Sequence, residues 1–162
     1  MPRRFGVTID CRDPLALAAF WRDVLDYQDD PAPEGYSTWA EYDAANCVAP
    51  EAAEAGATIV DPTGAGPRLY FQKVPEAKSV KNRVHLDVVV SVTQEWVDVQ
   101  AAADRVVAAG GQILRISDDP NDRFILVGDP EGMNSAWFCE NDAPGPCVAL
   151  CPRTHLPRLA HG

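Results

Sequence analysis

Positive charge is scarce in this chain. Fourteen lysines and arginines stand against 24 aspartates and glutamates, for a formal net charge of −10 at pH 7. Phosphate backbones and anionic membrane faces are bound by basic surfaces, so neither nucleic acid nor membrane is expected as a partner. Long apolar runs are missing too. No stretch approaches the length of a transmembrane helix. The opening MPRRFGVTIDC enters an alternating segment directly, without the apolar core of a signal peptide. The expected location is the cytoplasm. Histidine is rare, with three in all, and only His85 precedes the C-terminal stretch. The five cysteines, at 11, 47, 139, 147 and 151, are odd in number and scattered. That suits reduced thiols better than a disulfide framework. Gly-rich phosphate loops, nucleophile elbows and zinc-protease motifs are absent.

What is present is repetition. Asp61-Pro62-Thr63-Gly64 and Asp129-Pro130-Glu131-Gly132 are the same turn signature, and each is followed by an apolar strand pattern. Upstream of each lies a second matching pair. Val7-Thr8-Ile9-Asp10 and Val84-His85-Leu86-Asp87 both alternate, and each is followed by an amphipathic stretch. A chain of 162 residues at 46% hydrophobic can bury a core as one domain or as two small interlocked modules. Two such echoes point to a duplicated α+β unit rather than a solenoid. Residues 67–87 join the halves.

Local signals fill in each copy. Asp13-Pro14 is a helix start, with Asp as N-cap and Pro in the first turn. Leu17, Phe20, Trp21 and Val24 repeat at helical spacing to about residue 25. A short strand plus loop is expected over residues 27–36 and a strand over 37–42. A helix-favouring run follows at 51–55 with Gly56 as its stop, then strands at 57–60 and 68–74. The second copy reads as a strand at 84–91 and a helix through Trp96, Val99, Ala103 and Val106 that ends at Gly110-Gly111. Strands at 112–116 and 123–127 and a last strand after Gly132 complete it. Each half is βαβββ. The expected domain runs over residues 1–142, with module one at about 3–76 and module two at about 82–142. Residues 143–162 carry prolines and little periodicity and read as an irregular tail.

At this level the chain resembles the vicinal oxygen chelate superfamily of glyoxalases, bleomycin-resistance proteins and extradiol dioxygenases, and most closely its glyoxalase-like branch. The resemblance rests on Asp10-Cys11-Arg12-Asp13-Pro14, Ala18-Ala19-Phe20-Trp21, Asp61-Pro62 and Gly66-Pro67-Arg68-Leu69. It continues through Val74-Pro75-Glu76, Lys78, Lys81-Asn82-Arg83, His85-Leu86-Asp87, Asp129-Pro130-Glu131-Gly132 and Phe138-Cys139. It covers residues 5 to about 140. It implies an α+β fold in which two tandem βαβββ modules form a curled mixed sheet around a shared cavity, commonly as a homodimer. In metal-using members each module supplies one ligand from its first strand and one from its last. Here the resemblance places Gly6 and His85 at the first-strand positions. The last-strand positions fall at Phe71 or Gln72 and at Cys139 or Glu140. The extra residues 133–137 blur that register. Glycine cannot ligate; the resemblance leaves His85 and Glu140 as the metal candidates, joined at best by Gln72 and at worst His85 alone, with zinc, nickel, iron or magnesium as the cofactors it allows.

Strand parity bears on the site. Gly6, Thr8, Asp10, His85 and Asp87 should share the cavity side, because facing repeats every two residues. His85 is a candidate ligand or general base, or a strand histidine satisfied by Asp87. Asp10 and Asp87 are a candidate acid/base pair, since neighbouring carboxylates separate in pKa; alternatively each caps backbone or pairs with Arg12 or Arg83. Thr8, Trp39, Tyr42, Tyr70, Gln72 and Phe138 are candidate ligand contacts, because apolar pockets take small flat molecules. Arg68, Lys73, Lys78, Lys81 and Arg83 form either an anion-steering rim or a solvated crossover. Cys147, Cys151 and His155 are four apart but lack a fourth zinc ligand. Three functions follow from these residues and the resemblance: a metal-free module that binds a small organic molecule, a metal-assisted lyase or isomerase, or a structural or regulatory partner with an occluded cavity.

Overall fold

The computed structural model describes residues 3–91, 95–119 and 122–139. Two four-stranded mixed sheets carry the fold. Strand β1 (Gly6–Cys11) is followed by helix α1 (Pro14–Leu25) and the two-residue strand β2 (Gln28–Asp29). Two short helices, α2 (Trp39–Ala45) and α3 (Pro50–Ala53), precede β3 (Gly56–Val60) and β4 (Arg68–Lys73). The second half contains β5 (Leu86–Ser91), α4 (Trp96–Ala108), β6 (Gln112–Asp119), β7 (Asp122–Gly128) and β8 (Asn134–Cys139). The strand orders are β1-β4-β3-β2 and β5-β8-β7-β6. In each sheet the first strand pairs parallel with the last and the other pairs are antiparallel. The same order and sense in both halves is the mark of a duplicated βαβββ unit.

The duplication extends to the turns. Asp61 accepts from the Thr63 amide at 2.8 Å and the Gly66 amide at 2.6 Å, while Asp129 accepts from the Glu131 amide at 3.0 Å and the Met133 amide at 2.8 Å. Gly64 and Gly132 follow at φ of 72° and 83°, a region that favours glycine.

The core lies between the sheets and their helices. Ile9, Cys11, Leu69 and Phe71 of the first sheet meet Leu17, Phe20, Trp21 and Val24 of α1. Ile125, Val127 and Trp137 meet Val99, Ala103 and Val106 of α4 in the same cluster. Trp21 and Trp137 are 1% and 2% exposed, so both halves share one interior rather than folding around two.

Two local expectations are corrected. Residues 37–42 are not a strand. Thr38 caps α2 by accepting from the Glu41 amide at 3.1 Å, and the Glu41 carboxylate accepts from the Ser37 amide at 2.8 Å. This reciprocal Thr-x-x-Glu arrangement nucleates a helix where a strand was expected. Gly56 does not end a helix but opens β3, because Tyr70 lies over it. A Cβ there would sit 2.7 Å from Cε2 of Tyr70 and 2.8 Å from Cζ.

Candidate functional site

Alternation sorts the strand residues onto two faces. On β1, Ile9 and Cys11 are buried against α1, while Gly6, Thr8 and Asp10 are exposed on the opposite face. The parallel register pairs Gly6 with Arg68, Thr8 with Tyr70 and Asp10 with Gln72. These six residues therefore make one hydrophilic surface across the first sheet. In the second sheet Asp87 pairs with Ala136 and Val89 with Phe138.

β1 and β5 are edge strands of their sheets, and a groove of about 950 Å³ runs beside them. One wall carries Thr8 and Asp10, another His85 and Leu86, and the crossover of residues 74–84 closes the rim. Asp129, Glu131 and Met133 of the second Asp-Pro-x-Gly turn also line it. The structure thus brings Thr8, Asp10 and His85 together. His85 stands one residue ahead of β5. Asp87 is exposed farther along β5, beyond the groove lining.

A second pocket, about 880 Å³, lies at the β3 side of the first sheet. Tyr70, Thr58 and Arg68 contribute from the strands, and Trp39 and Ala40 from α2. Arg68 is held by Asp30 at 3.2 Å and by the Thr58 hydroxyl at 3.0 Å, with its guanidinium 5.8 Å from the Tyr70 ring centre. Trp39 donates through Nε1 to the Asp30 carbonyl at 2.8 Å. Tyr42 meets Trp39 edge-on at 5.6 Å and Tyr36 at 5.1 Å. Trp39 and Tyr70 therefore line this pocket rather than the His85 groove, and Tyr42 packs against Trp39 without lining either. Phe138 is in neither: it is 5% exposed, packed with Phe124 and Ala136 in a small separate cluster.

Three features of the groove wall carry little sequence signal. Asp129 is buried and accepts from Nε1 of Trp21 at 3.1 Å as well as from two backbone amides. Burial is the leading cause that pushes its carboxyl above the ordinary aspartate range, and those three donors hold the rise back. Glu131 accepts from the amides of Arg12 at 2.8 and 3.0 Å and Asp13 at 3.0 Å, at the entry to α1. Cys11, beneath the groove, has its thiol pushed up to about 11, first by burial and then by Glu131, Asp13, Asp10 and Asp129. The repeated turn marked Asp129 and Glu131 as structural, but nothing in the pattern placed them against the first module.

The donor set can be tested against a divalent ion. Gly6 has no side chain, and among the described residues no three of His, Cys, Asp and Glu stand close enough to share one. Glu140, Cys147, Cys151 and His155 lie outside the described residues, as does the expected tail. The described residues therefore do not by themselves make a metal centre. Among them, no helix is long and apolar enough to cross a membrane.

Comparison with known proteins agrees with this architecture. A family model described as glyoxalase-like domain matches residues 6–137. A glyoxalase/bleomycin resistance protein/dioxygenase from Nocardioides superposes with a TM-score of 0.58 at 18% identity, over 90% of this chain and 88% of that one. The fosfomycin resistance protein FosX from Listeria monocytogenes, solved with Mn(II) and a dihydroxypropylphosphonic acid, gives 0.56 at 10% identity, over 86% and 92%. TioX from Micromonospora sp. ML1 gives 0.50 at 20% identity, over 85% and 98%. A search of curated proteins finds no match. With the family model spanning most of the chain, and two βαβββ units of identical strand order, the protein belongs to the glyoxalase-like domain family of the vicinal oxygen chelate superfamily.

Proposed function

We propose that this protein binds a small, partly apolar organic molecule in the hollow between its two modules, without a complete metal site of its own. The observation that carries the reading is Gly6: a residue with no side-chain donor lines the same groove as His85, at the first-strand position where the resemblance puts a ligand in metal-using members. A divalent ion needs several oxygen or imidazole donors in near-ideal geometry. Thr8, Asp10 and His85 supply hydrogen-bonding groups to one wall. Trp39 and Tyr70 supply aromatic surface to the neighbouring pocket, with Tyr42 packed behind Trp39. Polar groups of this kind fix a ligand's orientation while apolar area supplies affinity. In this reading the binding domain comprises residues 1–142, with residues 143–162 appended, and works in the cytoplasm as a homodimer.

The test combines elemental analysis with thermal shift. Protein purified without added metal should carry well under one equivalent of nickel, zinc or iron. Members of a small-molecule panel should raise its melting temperature, because any ligand that prefers the folded state must do so. One tightly held equivalent of metal per chain would overturn the reading.

A second reading has one specific support: the FosX structure of the same fold holds Mn(II). Here the protein would be a metal-dependent lyase or isomerase with His85 and Glu140 as ligands, and Asp10 or Asp87 as the proton-transfer group. It requires that His85→Ala abolish metal uptake and turnover. Unchanged metal content in that variant removes it.

A further inference from the structure

The chain is strongly acidic, yet the rim of the His85 groove concentrates its cations. Lys78, Lys81 and Arg83 line the groove within six residues of one another, immediately ahead of His85. Acidic groups occur there as well, but two of them are already engaged. Asp129 takes three donors, and Glu131 takes the amides of Arg12 and Asp13. Asp10 and Glu76 are the remaining acids of the lining. Arg22, Arg68, Arg105 and Arg123 form ion pairs with aspartates elsewhere. Neither Lys78 nor Arg83 has an ion-pair partner among the described residues. Lys78 reaches the second Asp-Pro-x-Gly turn, with its Cδ 4.0 Å from where a Cβ on Gly132 would lie. Between the cations, the Asn82 side-chain oxygen is buried and has no hydrogen-bond partner.

We propose that the crossover residues Lys78 and Arg83 bind the anionic group of a small organic acid whose apolar part lies along the groove. The inference rests on the small-molecule reading above and narrows it to a charge class. Guanidinium and ammonium groups at the mouth of a half-open groove attract a carboxylate or phosphonate, most strongly at low salt. Val80, Val84 and Met133 supply apolar surface beside the charges.

The test uses the full chain, two-dimensional amide NMR titration, and two probes of one shape: phenylacetate and its neutral counterpart phenylacetamide. Both should perturb amides of residues 8–10 and 78–86, with phenylacetate binding about tenfold tighter at low salt. Lys78→Met with Arg83→Met should bring that ratio to about one, since it removes the charges that discriminate. Lys73→Met, which removes a positive charge outside the groove, should leave the ratio unchanged. Both sites are exposed, and a melting curve checks that the double variant folds. If phenylacetamide binds in the groove as well as phenylacetate, the charge assignment is overturned while the small-molecule reading stands. If Lys73→Met erases the ratio as fully as the double variant, general steering explains it and the assignment is again overturned. If neither probe moves groove amides, both readings fall.

Discussion

Trp21, in the middle of α1, donates its indole N–H to the buried carboxylate of Asp129, 108 residues away, at 3.1 Å. One hydrogen bond thus joins the first helix of module one to the last turn of module two. Its removal should be felt by both. Trp21→Phe keeps the aromatic ring but leaves a buried carboxylate one donor short. The loss of stability should be about 1–3 kcal/mol, read as a lower urea midpoint with unchanged slope.

The same pair fixes a pH dependence. Asp129 is raised above the ordinary aspartate value of 3.8, chiefly by burial. A carboxyl whose folded pKa lies above its unfolded one favours folding when protonated. Its contribution is therefore fully present below the unfolded value and is lost as pH rises through the folded one. Because Trp21 holds the rise down, Trp21→Phe should push the carboxyl higher and widen that window upward. The carboxyl carbon of Asp129, followed by NMR across acidic pH, reads this directly. A titration unmoved by the substitution would contradict it.

Glu131 is expected to stabilise the start of α1 from the opposite module. Its carboxylate meets two amides at the helix entry, where negative charge is favoured. Glu131→Ala should cost about 1–2 kcal/mol, in the range of a lost cap. Glu131→Gln should restore part of it. Thermal or urea unfolding of the two variants side by side decides the matter.

Gly56→Ala should damage the aromatic pocket through Tyr70. The new methyl group would overlap the tyrosine ring, so either the ring or β3 must move. A loss of about 1–3 kcal/mol is expected. In the Tyr70→Ala background the same change should be nearly silent, because the atom it strikes is gone. A double-mutant cycle measures that coupling.

Thiol reactivity should separate the cysteines. Cys47 is exposed and should be modified readily at pH 8, whereas Cys11, buried and pushed up to about 11, stays a thiol there. Peptide mass spectrometry after brief alkylation should show Cys47 labelled and Cys11 labelled only on unfolding. Labelling of Cys11 in the folded protein would place its side chain outside the core.

The hydrophilic surface made by Thr8, Asp10, Tyr70 and Gln72 was half legible. Alternation in the first strand is a local property, and it assigned Thr8 and Asp10 to one face without any knowledge of their neighbours. Joining Thr8 to Tyr70 and Asp10 to Gln72 needs the parallel register between β1 and β4, which no local pattern encodes. Residues 37–42 show the reverse. A strand was expected there, but the hydrogen bonds that Thr38 and Glu41 accept from backbone amides at the helix start stabilise a helix.

By itself, the order of residues determined that one βαβββ unit occurs twice, that Asp13-Pro14 begins a helix, and that the Asp-Pro-x-Gly turns recur. Each is written in spacing and turn chemistry over fewer than about twenty residues. The division of the aromatic residues from the His85 groove, the burial of Asp129, and the seating of Glu131 on α1 were decided only in three dimensions. They depend on how two sheets and two helices pack across more than 100 residues of chain, as the separations of 108 for Trp21–Asp129 and 119 for Arg12–Glu131 make plain. Packing of that kind is set by the complementary shapes of buried side chains in a shared core, and a linear pattern does not record it.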